Sequence, residues 1–424
     1  MNLEISNLSN DLTIITDPMA TLESAALGIW VGTGSRDELP SEMGISHMLE
    51  HMAFKGTTSR DARQIAEEIE SVGGYLNAYT SREQTAFHAR VLKNDVNLAL
   101  DIIADILVRP TYEASELERE RQVVLQELGQ ARDTPDDIIF DHLQNVIYRN
   151  QPLGWPILGD EKTVTSFTPA ALRDYSARRY RAGAMTLVCS GAVSHDEVVR
   201  VAEEKFAGLQ SGLPPVSAAA HYAGGEMRVE EELEQAHIAY AFPGVAANDE
   251  DFYVSQLHAV VLGGGMSSRL FQEVREKRGL CYSIYAFTNN FQDGGFTGIY
   301  VGTGEDEAAQ ISAVIAGELE GLSRTVTDAE LSRAKAQLKS GLLMGLERPG
   351  SRTEQIAGQI FTFGRVQSIP EIVAQIDKVD AAAVKRYAAR VMASPSIAAV
   401  GPVRKLERHD IFAARFARAP EAAE

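Results

Sequence analysis

The stretch "GISHMLEHMAFKG", residues 44–56, decides how the rest of the chain is interpreted, because it puts two histidines and a glutamate on one short segment. Apolar residues recur there at helical spacing and predict one buried helix face: Ile45, Met48, Leu49 and Met52. Pro40 and Ser41 predict the start of this helix. At about 100° per residue, the polar residues His47, Glu50 and His51 fall together on the opposite side.

These three residues suit a zinc site. Histidines four positions apart lie one above the other on a helix, so both rings can reach one ion. Glu50 projects beside such an ion and can accept a proton from water held there. Two protein ligands are too few, so a third must come from elsewhere in the chain. The alternative is a solvated helix face with two incidental histidines.

A second acidic pair stands in "ASELERERQVVLQELGQARDTPDD", residues 114–137. Glu120 and Glu127 are two helical turns apart and therefore share a face of the predicted helix. The pair could present one carboxylate to a metal and a second just behind it. Taken in isolation, the two glutamates are better explained as solvated helix charges.

Together these stretches resemble the pitrilysin and insulinase family of zinc peptidases, also called inverzincins. The resemblance is based on the H-x-x-E-H pattern at residues 47–51, the spacing from His51 to Glu127, and the E-R-x-V-x-x-x-E context of Glu120 to Glu127. It implies one zinc ion per chain, held by His47, His51 and Glu127. It also implies that Glu50 is the catalytic base and that Glu120 supports catalysis from behind the ligands.

Two further segments extend the resemblance. "GGYLNAYTSREQTAFH" (73–88) is similar to the family's edge strand, where Asn77 and Ala78 would meet the substrate backbone; an ordinary hairpin is the alternative. "GGGMSSRLFQEVREKRGLCYSIYAF" (263–287) resembles the family's R-x-x-x-x-x-x-Y element and assigns Arg275 and Tyr282. Both could donate hydrogen bonds to the substrate carbonyl and its oxyanion.

The pattern of the chain predicts two domains. Residues 1–212 form the predicted zinc-binding catalytic domain, 213–226 a linker, and 227–424 a similar domain that lacks the zinc motif but carries Arg275 and Tyr282. The predicted fold class is α+β, with a mostly antiparallel sheet and helices in each domain, related by internal duplication. Two unrelated domains are the alternative.

The resemblance is closest to the short two-domain members of the family, in which two chains close around a chamber. It therefore implies a homodimer in which Arg275 and Tyr282 act on the partner chain's site. The segment 136–160 resembles the processing-peptidase branch, where residues matching Asp137 and Asp141 bind an arginine two residues before the cut. A solvated helix start is the equal alternative for those two aspartates.

Composition excludes one class of partner and predicts the cellular compartment. The net charge of −19, from 59 acidic and 40 basic residues, argues against nucleic acid as a partner, because phosphate binding needs a basic face. Two cysteines do not make a disulfide framework, and no stretch reads as a secretion signal or a membrane span, so we expect a cytoplasmic protein.

The sequence therefore predicts a zinc-dependent endopeptidase that hydrolyses unfolded, basic, presequence-like peptides inside a closed chamber. The alternatives are a non-catalytic structural or processing-partner subunit of the same fold, and a metal-dependent binding protein without turnover.

Overall fold

The computed structural model describes residues 2–417. The strands in chain order are β1 (Glu4–Asn7), β2 (Thr13–Pro18), β3 (Ser24–Val31), β4 (Tyr75–Thr80), β5 (Thr85–Leu92), β6 (Met185–Gly191), β7 (Gly225–Glu230), β8 (Ala236–Pro243), β9 (Cys281–Asn290), β10 (Gly295–Thr303) and β11 (Ser396–Gly401). The α-helices are α1 (Ile45–Ala53), α2 (Ala62–Ser71), α3 (Val96–Val108), α4 (Ala114–Arg132), α5 (Pro135–Ile147), α6 (Glu161–Ser166), α7 (Pro169–Arg179), α8 (His195–Lys205), α9 (Phe252–Gly263), α10 (Glu305–Arg324), α11 (Asp328–Gly345), α12 (Pro349–Phe363), α13 (Ile369–Lys378), α14 (Ala381–Val391) and α15 (His409–Phe416).

These elements form two compact units. The first unit contains the described residues up to Gln130, then Trp155–Ala218 and Leu343–Ser368. The second unit contains Ala131–Gly154, Ala219–Leu342 and the described residues from Ile369 onward.

The first unit is built on a sheet with the strand order β1-β2-β6-β3-β5-β4. Strands β2 and β6 run parallel, and the other described pairs in this sheet are antiparallel. Leu27 and Ile29 of β3 and Phe87 of β5 point to one face, where they pack in the core with helices such as α1 and α3. Each fully buried apolar side chain of this size contributes about 1.5–3 kcal/mol to folding.

The second unit repeats this design with the strand order β7-β11-β8-β10-β9. Its parallel pair, β7 and β11, stands where β2 and β6 stand in the first sheet, and its other pairs are antiparallel. The prediction of two similar α+β domains, each with a mostly antiparallel sheet, is therefore confirmed.

The predicted domains are contiguous in sequence, whereas each observed unit includes one helix from the other half of the chain. Helix α5, from the first half of the sequence, packs its apolar face on the second unit's sheet through Ile139, Leu143 and Ile147. Helix α12, from the second half, packs Ile356 and Ala357 on the first unit's sheet. An amphipathic helix shows in its sequence which face is buried, but not which sheet buries it.

The boundary at Ala218 lies within the predicted linker, and residues 213–224 contain neither helix nor strand. Within residues 2–417, no helix has the length and the apolar character that crossing a membrane requires.

Candidate metal centre

Helix α1 carries the H-x-x-E-H stretch and begins later than predicted. Its first residue is Ile45 rather than Pro40 or Ser41, because Gly44 caps it in the left-handed conformation at φ +89°. A Cβ on Gly44 would lie 2.7 Å from the carbonyl oxygen of Leu158, a distance that real side chains do not reach. The cap therefore requires glycine.

The N-terminus of α1 is also held by a buried carboxylate. Glu38 accepts hydrogen bonds from the backbone N–H groups of Gly44 (2.8 Å) and Ser46 (2.9 Å). Those groups have no partner within the helix, so Glu38 satisfies two otherwise orphaned donors. The four predicted apolar positions, Ile45, Met48, Leu49 and Met52, are all buried, and this fixes the rotation of α1.

Helix α4 brings Glu120 and Glu127 to the polar side of α1. Oε2 of Glu127 lies 3.7 Å from Nε2 of His47 and 3.5 Å from Nε2 of His51. Within residues 2–417, these three side chains form the group whose ligand atoms lie close enough together, within 4.8 Å, to hold one metal ion.

The spacing fits zinc. Bonds of about 2.0–2.2 Å in a tetrahedral site keep ligand atoms about 3.3–3.6 Å apart, which is close to the two histidine–glutamate distances in this group. Two imidazoles and one carboxylate are a usual zinc donor set, and three protein ligands leave a fourth position open. The residues present therefore fit this ion.

Protonation also favours ligation by His47. Burial, and then the neighbouring charge of His51, lower the pKa of His47 to about 3. The ring is therefore neutral near pH 7, which is the form that binds a metal.

Glu120 fixes the orientation of His51. The Nδ1 of His51 lies 3.0 Å from Oε2 of Glu120, while Lys55 Nζ lies 2.7 Å from the other oxygen. Burial acts to raise the pKa of Glu120, but hydrogen bonds from His51 and Lys55 outweigh it and lower that pKa. An ionised Glu120 can only accept, so Nδ1 of His51 carries a proton, and Nε2 is the ring nitrogen that faces Glu127.

Glu50 is held by the end of β4. The hydroxyl of Thr80 donates to Oε2 of Glu50 at 2.6 Å. Burial raises the pKa of Glu50, opposed by the Thr80 hydrogen bond and reinforced by the negative charge of Glu127. A raised pKa suits a group that must both accept and return a proton near neutral pH.

The predicted substrate strand, β4, lies at the edge of the first unit's sheet. Asn77 donates to the hydroxyl of Tyr75 (2.6 Å) and accepts from the backbone N–H of Ala78 (2.9 Å). Ala78 is buried on the core side, whereas Asn77 is exposed. The unpaired side of β4 is a surface on which a further strand can be added.

The other predicted residues belong to the second unit. Arg275 lies in a short helical segment (Phe271–Glu276), and its guanidinium is 5.3 Å from the ring centroid of Tyr282, which is 77% exposed. Asp137 and Asp141 lie on α5, where Asp137 is exposed and Asp141 is half-buried.

Sequence reasoning missed Thr80 and Lys55. Both lie in the quoted stretches 44–56 and 73–88, and Lys55 follows His51 by four residues, but neither is part of the H-x-x-E-H pattern. Their roles come from tertiary contacts: Thr80, at the end of β4, bonds to Glu50 of α1, and Lys55, just after α1, pairs with Glu120 of α4.

Models of two domain families match most of the chain. Residues 13–161 match the model described as "Insulinase (Peptidase family M16)". Residues 166–338 match the model described as "Peptidase M16 inactive domain". The first match contains all the residues of the metal group.

Curated relatives match along nearly the whole length. An uncharacterized zinc protease of Rickettsia bellii is 39% identical over 95% of this chain and 98% of that protein. A probable mitochondrial-processing peptidase subunit beta of Arabidopsis thaliana is 37% identical over 97% of this chain and 80% of that protein.

Among solved structures, a peptidase M16 inactive domain from Pseudomonas fluorescens superposes with a TM-score of 0.89 at 21% identity, over 96% of this chain and 99% of that chain. This likeness shows the shared fold.

Proposed function

The chain belongs to the insulinase (M16) family of peptidases, and from that premise we propose that it is a zinc-dependent endopeptidase. The observation that carries the proposal is the convergence of His47, His51 and Glu127 beside Glu50. The names of the curated relatives, which include zinc proteases, support it.

His47, His51 and Glu127 would hold the zinc ion. When bound, zinc supplies Lewis-acid chemistry that polarises a peptide carbonyl and makes water more acidic. Glu50 then accepts the proton of the attacking water and passes it to the leaving amine. The Thr80 hydroxyl keeps one oxygen of Glu50 in place, so the other oxygen is left to act.

Substrate binding on β4 is the second part of the proposal. An extended peptide would add to the edge of the sheet, with Asn77 and Ala78 at its contact point. Pairing would replace the local bond between the Ala78 N–H and the Asn77 side chain. Main-chain pairing recognises an unfolded segment rather than a particular side chain.

The third part concerns assembly. We propose a homodimer that closes around a chamber, in which Arg275 and Tyr282 of one chain donate to the carbonyl oxygen of a peptide on the partner's site. Their mutual stacking and the exposure of Tyr282 support a role in contacting another molecule. Asp137 and Asp141 would favour an arginine before the cleaved bond, in line with the net charge of −19.

Catalysis is supported over the alternative of a non-catalytic subunit by the presence of both the metal group and the Glu50 base in the same chain. Residence in the cytoplasm stays a prediction from the sequence.

The test is cleavage of an unstructured, internally quenched peptide by the purified chain. We expect a chelator to abolish cleavage and zinc to restore it. Retained cleavage after complete removal of metal, verified by elemental analysis, would contradict the proposal. Zinc binding without any cleavage would favour the non-catalytic alternative.

A further inference from the structure

A cleft of about 590 Å³ lies in the first unit, between the start of α12 and strands β3, β4 and β5. Strand side chains alternate between faces, so His88 and Arg90 of β5 line this cleft, whereas Phe87 points into the core beneath α1. The cleft is therefore on the face of the sheet that α12 covers. Its volume is in the range of small-ligand sites.

Two arginines give the cleft its charge. Among residues 2–417, neither Arg90 nor Arg348 has a carboxylate within ion-pair distance, and both line the cleft. The guanidinium of Arg90 lies flat over Tyr75 instead, 4.8 Å from the ring centroid. A stacked guanidinium keeps its N–H donors free at the edge.

The start of α12 adds further donors. Arg348 is the capping position and makes no side-chain cap hydrogen bond, and Pro349 follows it as the first helical residue. Gly350 and Ser351, also in the cleft wall, are in the first turn, where backbone N–H groups have no partner within the helix. The helix dipole makes this end partly positive.

Among the described residues that line the cleft, one is a carboxylate, and it is already bonded. Oε2 of Glu354 accepts from Trp30 Nε1 (3.1 Å) and from the hydroxyl of Tyr79 (2.7 Å). The cleft wall therefore has two positive guanidinium groups and the partly positive N-terminus of α12, and one negative group, Glu354. The balance in the cleft is positive.

The second unit provides an internal comparison. Helix α5 covers β8 and β11 there as α12 covers β3 and β6 in the first unit, and both helices start with a proline. The first turn of α5 carries Asp136 and Asp137, the usual way to neutralise a helix start. The first turn of α12 carries no acidic residue, so the same position of the fold is left positive.

The cleft is connected to the predicted substrate strand. Asn77 of β4 bonds to the hydroxyl of Tyr75, and the ring of Tyr75 supports Arg90. Thr80, at the other end of β4, bonds to the base Glu50. From Thr80 to Tyr75 the strand rises by about 17 Å, which a paired peptide spans with about five residues.

We propose that this cleft binds a carboxylate of the peptide that pairs with β4, about five residues from the cleaved bond. The carboxylate is an aspartate or glutamate side chain or the C-terminus of the peptide. The inference depends on the proposed peptidase function. The cleft would be a subsite for acidic groups in a protein whose net negative charge otherwise favours basic peptides.

The test is an aspartate scan of a cleaved peptide. Each position from about three to seven residues on either side of the bond receives aspartate or asparagine, and kcat/KM is measured for each pair. A second set of peptides ends at these positions as a free acid or an amide. We expect one position or one end at which the acid is preferred by about fivefold, the effect of one partly exposed charge-assisted contact.

Substitution of the arginines tests the assignment. In the Arg90→Gln, Arg348→Gln double variant, the ratio of kcat/KM for the acidic peptide to kcat/KM for its amide counterpart should fall towards one. It should be retained in Arg63→Gln, an exposed arginine on α2 that pairs with Glu67 outside the cleft. Preference for the acid at an internal position identifies a side chain as the ligand, and preference only in the free-acid peptides identifies the C-terminus.

Equal rates for every acid and amide pair, or a preference that survives in the double variant, would overturn the inference. The same peptides are also titrated against the Glu50→Gln variant by fluorescence anisotropy. If no peptide is cleaved by the parent, the peptidase proposal fails, but tighter binding of the acid that depends on the two arginines still supports the cleft. Equal binding of acid and amide rejects it.

Discussion

The Nδ1 atom of His51 lies 3.0 Å from Oε2 of Glu120, a carboxylate that is itself only 5% exposed. This contact decides which nitrogen of His51 faces Glu127. Lys55 holds the other oxygen of Glu120, so the carboxylate is fixed from two sides. The metal group is therefore oriented by residues that do not belong to it.

We expect Glu120→Gln to weaken zinc binding by about 10–100-fold, because an amide holds the His51 ring less firmly in the required tautomer. The measurement is zinc affinity by competition with a chromogenic chelator. Glu118→Gln, which changes an exposed residue of the same helix, is the matched control. Equal zinc affinity in the Glu120 variant and this control would show that the contact has no effect on the metal.

Mixing two inactive variants tests the proposed exchange of residues between chains. A Glu50→Gln chain and an Arg275→Ala, Tyr282→Phe chain should each be inactive alone. In mixed dimers, one of the two sites would receive an intact base from one chain and an intact Arg/Tyr pair from the other. Random mixing should restore about a quarter of the parent activity, and no recovery in verified mixed dimers would assign the pair to its own chain's site.

The cap of α1 allows a prediction for stability. Gly44→Ala should lower the free energy of unfolding by about 1–3 kcal/mol, because alanine is strained at φ +89° and its Cβ would collide with Leu158. Urea denaturation measures the change. Gly358→Ala, inside α12 with open space around it, is the control and should be neutral or stabilising by about 0.5–1 kcal/mol. Equal effects of both changes would contradict the strain at Gly44.

The buried Glu38 predicts that the stability of the folded chain depends on pH. Its burial raises the pKa from 4.5 to about 8, against the hydrogen bonds from Ser46 and Gly44. Because the folded-state pKa is the higher one, the contribution of Glu38 to stability is complete below pH 4.5 and is lost as the pH rises through about 8. Within that window the loss approaches about 1.4 kcal/mol per pH unit.

The measurement compares urea denaturation of the metal-free parent and of Glu38→Gln across this window. The parent should lose stability relative to the variant as the pH rises, since glutamine does not titrate. Glu118→Gln serves again as a control for removal of one acidic group. A difference between parent and variant that stays constant with pH would mean that Glu38 is ionised throughout.

The local part of the site followed from the sequence. A helix fixes the angle between neighbouring residues, so the spacing of His47, Glu50 and His51 placed them on one face, and the buried residues between them confirmed that face. The repeated pattern of strands and helices predicted the two similar units. The start of α1 was predicted wrongly, because it depends on Glu38 and Gly44 and on the close approach of residues 158 and 159.

The sequence by itself determined the helix face with two histidines and a glutamate, and the α+β character of both halves. The family resemblance assigned Glu127 to the same group, and the tertiary structure supplied its distances to the two histidines. Only the tertiary structure decided that Thr80 and Lys55 hold the surrounding carboxylates, and that α5 and α12 each join the unit of the other half. The reason is physical: local geometry is set by bonds between near neighbours, whereas the meeting of distant segments is selected by the burial of many apolar side chains together.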